Sequence, residues 1–546
     1  MINQNYKQMK KLNINNGYRK FLLMALLGVA LLAPACKKFL DVKPKDITKD
    51  EDFLQDYWDA DFMLRGGYQG LQNVVENWFI LGELQADWVV PGPGADKDML
   101  EVAEHKITST NKYTSWRAYY DLINRANYAI KNLPRVPRNP NYSVTTMRQY
   151  IGEMKWLRAM AYFHLVRNFG DVPLNMEPTD DISKVKYLAA TSQDVVLDSV
   201  EADLKYSFTY CDRVINVLNT FDAGLRESPE QTIRRVTKAT VCALQLEVLL
   251  WRNKYTEARK VDENFINNNT NTFAGNGTTS WMDIFTVKIL FNEPLLQTNF
   301  SFASREINPL MRIVSNDPAS GGKYMVAPSE VAMKTYNPNY PVISTTNATT
   351  DDIYRGFGLS YAGSAPFYNR LGSAPVIWKH IGLSRVLPGT INVPANVRLP
   401  YESEAVWNTY RIGDLNLLRA EMYNRLGEKQ LAISMINSIR GRVGVPNADA
   451  TTNPRQITTA STTEQIEDII LRERGLELGF EGRRWYDLVR IAKHRGSADV
   501  LINAIKLRAP VAQHAYLETR LRDTKNWYLP YNDEELLLNP NLKQKP

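Results

Sequence analysis

This sequence predicts a mostly α-helical protein whose helices pair into tetratricopeptide-like hairpins, with a loop-rich, short-strand region packed on one side. Three observations carry the expectation. Apolar residues recur at helical spacing between Asp52 and Phe265, and again from Ser403 to Lys493. The segments Trp251-Arg-Asn-Lys-Tyr-Thr-Glu-Ala258 and Arg425-Leu-Gly-Glu-Lys-Gln-Leu-Ala432 align as one kind of joint: a helix end, a polar turn, then a helix whose alanine permits close packing. Between the helical regions, residues 267–403 turn to Asn, Thr, Ser, Gly and Pro, as in NNNTNTFAGNGTTSW. A structureless loop of that length is implausible in a compact domain, so short strands and ordered loops laid against a helical scaffold are expected. One hairpin cannot bury its own apolar face, so several must stack. The spacing between pairs is irregular and forms no regular array of about 34 residues, which leaves unrelated helical hairpins as the alternative.

Ahead of the helices lies Arg19–Asp46, RKFLLMALLGVALLAPACKKFLDVKPKD. A basic start, an apolar run from Phe21 to Leu32 and small residues before Cys36 form a secretory signal. The run is too short to span a bilayer, which takes ~20 residues. Cleavage before Cys36 would leave that cysteine first in the mature chain, as in a lipobox, with Ala33 and Ala35 suitably small and Pro34 a departure. The alternative is an ordinary signal cleaved nearby, with Cys36 a free thiol. Removing residues 1–35 from 546 leaves 511 and takes away Lys7, Lys10, Lys11, Arg19 and Lys20 with no acid, so the formal charge falls from +7 to +2. The basicity belongs to the export signal and gives no warrant for nucleic-acid binding. Cys211 and Cys242 remain; a disulfide and two buried free thiols both fit their apolar helical settings.

In order, Cys36–Asp50 reads as a polar tether. The first helical pattern, Phe53 to Leu64, is expected to be interrupted at Gly66-Gly67. PGPGADKD, Pro91 to Asp98, is a loop by composition. Helices follow over Ser115–Leu133, Thr146–Phe169, Gln193–Cys211, Lys238–Trp251 and Thr256–Phe265. After the loop-rich segment come Glu404–Leu426, Lys429–Arg440, Glu464–Phe480 opened by a Thr462…Gln465 capping box, and Arg483–Lys493. WYLPYNDEELLLNPNLKQKP closes the chain as an irregular tail. The expected organisation is a signal peptide (1–35), a lipidated cysteine and tether (36–50), an N-terminal scaffold (51–266), a loop-rich region that carries the ligand site (267–403), and a C-terminal scaffold with tail (404–546).

Catalytic signals are few. His105, His164, His380, His494 and His514 form no H-E-x-x-H pair and adjoin no Cys-x-x-Cys, so neither a metal nor a cofactor is expected. His164 is expected to be partly buried and satisfied. Glu473, Glu477 and Glu481 stand four apart and could serve a glycoside hydrolase as acid and nucleophile. Pairing with the nearby Arg474, Arg483, Arg484 or Arg490 is the structural alternative. Among 11 Trp and 28 Tyr, Trp116, Trp156, Trp251, Trp407 and Trp485 sit in helical patterns and read as core. Trp88, Trp281, Tyr324, Tyr336 and Tyr361 sit in loops, where an exposed ring can stack on a sugar, and are the ligand-binding candidates.

Several motifs resemble those of the SusD/RagB family of outer-membrane nutrient-binding lipoproteins. They are CKKFLDVKPKD, GELQADWV from Gly82, RAMAYFHLVRNFGDVPL from Arg158, RIGDLNLLRAEMYNRLG from Arg411, RERGLELGFEGRRWYDLVR, and LLLNPNLKQKP. Gly413 stands where alanine is common, and Gly475 and Gly479 stand where better helix formers are frequent, which would loosen that turn. The resemblance spans residues 36–546. It implies about four tetratricopeptide-type hairpins and an acylated Cys36. It also implies a non-enzymatic protein, lipid-anchored at the cell surface, that binds oligosaccharides or sometimes peptides. Such a protein caps a SusC-type TonB-dependent transporter. Ligand residues vary within such families, so the five aromatics rest on the residue reading alone.

Overall fold

The computed structural model describes residues 53–180, 183, 185–211, 234–267, 284–285, 293–300, 306–316, 318, 321–336, 374–381 and 405–545. The chain divides into two units, Met1–Gln55 and Asp56–Pro546. Cys36, Trp281 and Tyr361 lie outside the described residues.

Among its described residues the second unit is mostly helical, and eight of these helices pair into four hairpins. Helices α1 (Tyr57–Gln72) and α2 (Arg117–Asn132) form the first, and α3 (Val144–Phe169) and α4 (Gln193–Tyr210) the second. Helices α5 (Lys238–Trp251) and α6 (Tyr255–Val261) form the third, α7 (Ile412–Arg425) and α8 (Lys429–Arg442) the fourth. They stack in that order: α2 packs on α3, α4 on α5, and α5 on α7. Helix α9 (Thr463–Leu478) covers α7, and α10 (Arg484–Arg495) follows it. Starts are set by side-chain caps. Ser143 accepts the Thr146 N–H, and reciprocal boxes join Thr237 to Thr240 and Thr462 to Gln465.

The two aligned joints share a backbone solution. Asn253 and Gly427, at equivalent positions, both take left-handed φ values of +57° and +79°. Glycine adopts these freely and asparagine tolerates them. Ala258 and Ala432 behind the turns are fully buried. The hairpins are also tied to each other: Arg259 reaches Glu428 at 3.2 Å, and Arg419 reaches the buried Asp262 at 2.7 Å.

Three expectations change. Gly66-Gly67 does not interrupt α1, which runs through to Gln72. A Cβ on Gly67 would stand 2.6 Å from the Met154 Sδ, so this glycine sets the close approach of α1 to α3. The predicted helix from Glu404 opens instead as strand β4 (Trp407–Arg411), antiparallel to β2 (Pro294–Thr298), and becomes helical only at Ile412. Beyond Lys493, helices α11 (Asp499–Arg508) and α12 (His514–Arg522) and the short helix Asp533–Leu538 fill stretches read as irregular or left unassigned. A second two-stranded sheet pairs β1 (Val89–Pro91) with β3 (Val326–Pro328). Both sheets thus fasten the loop-rich segment to the scaffold by one strand.

Cys211 and Cys242 are buried free thiols. Trp116, Trp156, Trp251, Trp407 and Trp485 are core residues. His164 is wholly enclosed: burial and the Arg167 guanidinium, within 3.1 Å of its ring nitrogens, hold it neutral. No helix among the described residues is long and apolar enough to cross a membrane.

Candidate functional site

The loop-rich face is built around the Pro91–Asp96 loop, which lies flat on residues 323–325. The Gly92 N–H donates to Met325 O at 2.9 Å and the Gly94 N–H to Tyr324 O at 3.1 Å. A side chain at either glycine would run into that backbone. Tyr324 takes a left-handed φ of +46°, is half-buried, and donates its hydroxyl to Pro375 O at 2.6 Å. Its ring is therefore fixed beside the loop by both main chain and hydroxyl.

Of the predicted ligand aromatics, Tyr324 keeps a partly accessible ring. Trp88 and Tyr336 are each only 2% exposed and pack edge to face, with ring centres 5.4 Å apart. The Tyr336 hydroxyl donates to Leu476 O at 2.7 Å. Neither offers a ring to a sugar, and both are withdrawn as ligand candidates. The reason lies in α9. A Cβ on Gly475 would sit 2.6 Å from Trp88 Cζ2, and one on Gly479 2.7 Å from its Cζ3. The two glycines do not loosen the turn; they form the flat slot that receives the Trp88 indole. Glycines four apart on one helix face, in a motif otherwise rich in bulky residues, were the sequence signal for that slot.

Beneath this face lies a buried ionic network. Arg411, 1% exposed, reaches Glu293 at 2.9 Å, clasps Glu481 through two nitrogens at 2.9 Å each, and bonds Glu477. Arg442 joins Glu293 and Glu477, Lys379 reaches Glu481 at 2.7 Å, and Arg440 pairs with Glu473. Burial opposes ionisation of Glu481, yet the Arg411 and Lys379 charges hold it down to about 2. The acids do pair with cations, as the structural alternative required. Their partners come from other elements, however, not from the neighbouring arginines. Arg474 and Arg483 both turn to Asp414, and Arg484 forks onto Asp87 at 2.7 and 2.9 Å. Arg490 pairs with Glu421. Glu473 and Glu477 are fully buried and committed, which leaves neither available as acid or nucleophile. Among the described residues, no group of three His, Cys, Asp or Glu side chains is arranged to hold a metal ion.

Glu83, in the GEL motif, has the opposite character. It is fully buried and accepts the Arg483 backbone N–H at 3.0 Å, while its second oxygen has no partner among the described residues. Burial pushes its carboxyl up to about 8. The folded state therefore keeps a proton that the unfolded chain loses near pH 4.5. The Glu83 penalty is absent at low pH and grows as pH rises towards 8. Glu83→Gln is expected to raise the urea midpoint at pH 8 and to raise it far less at pH 5. An equal shift at both values would show that Glu83 is charged throughout.

Comparisons with known proteins match this arrangement at both ends of the chain. A family model described as the SusD family matches residues 385–546. A second, described as "Starch-binding associating with outer membrane", matches residues 38–216. Together they take in more than half of the chain. The protein belongs to the SusD family. Among SusD-like relatives, protein P38 of Formosa agariphila is 27% identical over 508 residues, covering 87% of this chain and 91% of that relative. The fold agrees too. A SusD superfamily crystal structure from Bacteroides vulgatus superposes with a TM-score of 0.68 at 19% identity, covering 90% of this chain and 99% of that one. A laminarin-binding SusD-like protein superposes with a TM-score of 0.63 at 20% identity, with the same coverage of both chains.

Proposed function

We propose that this SusD-family protein is a cell-surface glycan-binding lipoprotein, anchored through an acylated Cys36, that captures oligosaccharides and delivers them to a SusC-type TonB-dependent transporter. The observation that carries the reading is the match of residues 38–216 to a family described by starch binding and outer-membrane association. The laminarin-binding relative of the same fold supports a carbohydrate ligand. The buried pairing of Glu473 and Glu477 supports binding without hydrolysis. In this reading, sugar meets the loop-rich face at Tyr324, with Trp281 and Tyr361 as the further ring candidates.

Probing immobilised glycans and peptides with the mature chain tests the ligand class. Glycans are expected to bind and to be recovered intact. Binding to peptides alone transfers the protein to the peptide-binding branch, and turnover of the glycan would overturn the binding-only role. The transporter is expected to co-purify from native membranes. Cys36→Ala is expected to leave the outer-membrane fraction when the transporter is absent, since stable anchoring takes two or more lipid chains. Retention there would refute the anchor.

A further inference from the structure

Two of the sequence motifs meet at a cavity that the loop-rich face does not include. It encloses about 550 Å3, between the Phe169–Asp171 end of α3, the start of α4, the Arg520–Pro530 turn and Gln544–Lys545 of the tail. That is within the ~300–1,000 Å3 of small-ligand sites. Its walls are braced. The Leu529 N–H donates to Asn168 O at 2.7 Å, and the Tyr531 hydroxyl to Asp171 O at 2.7 Å. Gln544 clamps the Tyr531 backbone through both its amide atoms, at 2.9 Å each.

The charges in this wall are not balanced internally. Arg520, half-buried, and Lys525, exposed, line the cavity. Lys545 gives one donor to Leu529 O at 3.3 Å and otherwise faces the rings of Tyr531 and Tyr528, 4.7 and 5.6 Å away. The two lining acids each have an oxygen committed: Asp171 accepts the Gln193 N–H at 2.8 Å and Asp523 the Lys525 N–H at 3.1 Å. Two cationic side chains, Arg520 and Lys525, and the amine of Lys545 therefore line a cavity with an aromatic side chain, Tyr528, in its wall. An anion bound there would gain charge-assisted hydrogen bonds, and a ring attached to it would gain an aromatic surface.

We propose that this cavity binds an anionic sugar, one carrying a carboxylate or a sulfate, with Arg520, Lys525 and Lys545 holding the acid group and Tyr528 the ring. The proposal rests on the glycan-binding reading and adds a second saccharide site on the scaffold side. Calorimetric titration of the mature chain tests it, using an oligogalacturonate, a sulfated galactan oligosaccharide, a neutral galactan oligosaccharide and sodium sulfate alone. The uronate or the sulfated sugar is expected to bind at least about tenfold more tightly than the neutral one, and which of them binds identifies the acid group. Replacing Arg520 and Lys525 together by Ala is expected to abolish that preference at an unchanged melting temperature. Should that variant melt early, Arg520→Gln alone carries the test.

Three results would overturn the proposal. They are equal affinity for the neutral sugar, a preference that survives the substitutions, and sodium sulfate binding as tightly as the sulfated sugar, which marks a simple anion site. Binding of neutral glycans only would sink this inference and leave the glycan-binding reading standing; binding of no glycan at all would sink both.

Discussion

Arg411→Ala is expected to destabilise the fold by about 3–5 kcal/mol, the usual cost of removing one member of a buried charge cluster. The substitution strips Glu481 of a two-pronged partner and removes one cation each from Glu293 and Glu477. Arg442 and Lys379 stay in place, which keeps the loss from being larger. Arg411 also ends β4 and stands at the N-cap of α7, so the same change removes the side chain at the junction of the sheet and the fourth hairpin. Arg411→Lys should lose less, because it keeps the charge and forfeits only the planar fork. Denaturant midpoints measure both; an alanine variant within about 1 kcal/mol of the parent, against the 3–5 of a buried pair, would mean the network is dispensable.

Trp88→Ala is expected to cost a similar ~3–5 kcal/mol, as truncations of buried large aromatics do. The indole fills the slot over Gly475 and Gly479, meets Phe480 with ring centres 6.2 Å apart, and lies 5.2 Å from the Arg484 guanidinium. Because the ring is enclosed, glycan affinity of the folded variant should stay within about twofold of the parent, far less than the loss of a hot-spot residue. Melting unchanged together with a tenfold loss of glycan binding would return Trp88 to the ligand site.

How far the sequence could be read depends on where each instruction is written. The helix Lys238–Trp251 is legible to the residue, because Thr237 and the apolar face are local. The shared joint at Asn253 and Gly427 is equally local. Strand β4 is not: its partner, Pro294–Thr298, lies more than a hundred residues away, and Trp-Asn-Thr-Tyr-Arg runs straight into a helix without a break. The same limit governs the charges. Nothing near Glu477 in the chain announces Arg411 or Arg442, while the arginines beside it in sequence turn to other acids. The enclosure of Trp88 is hidden for a related reason. The residue precedes a Pro/Gly loop and reads as exposed, while the glycines that enclose it are nearly four hundred positions later. The cavity beside Asp171 is invisible to periodicity, since its walls join the end of one helix to the last residues of the tail.

These long connections also govern timing. The bonds from Arg483 to Glu83 and from Arg484 to Asp87 span 400 and 397 positions. At the ~5–20 residues per second of synthesis, the earlier partner waits on the order of 20–80 s for the later one. Until then, the carboxylates of Glu83 and Asp87 and the indole of Trp88 have no enclosure, and closing the core around them would strand polar groups away from water. The N-terminal half is therefore kept from maturing early. Such late wiring keeps the chain pliable during synthesis and locks it when its C-terminal third arrives.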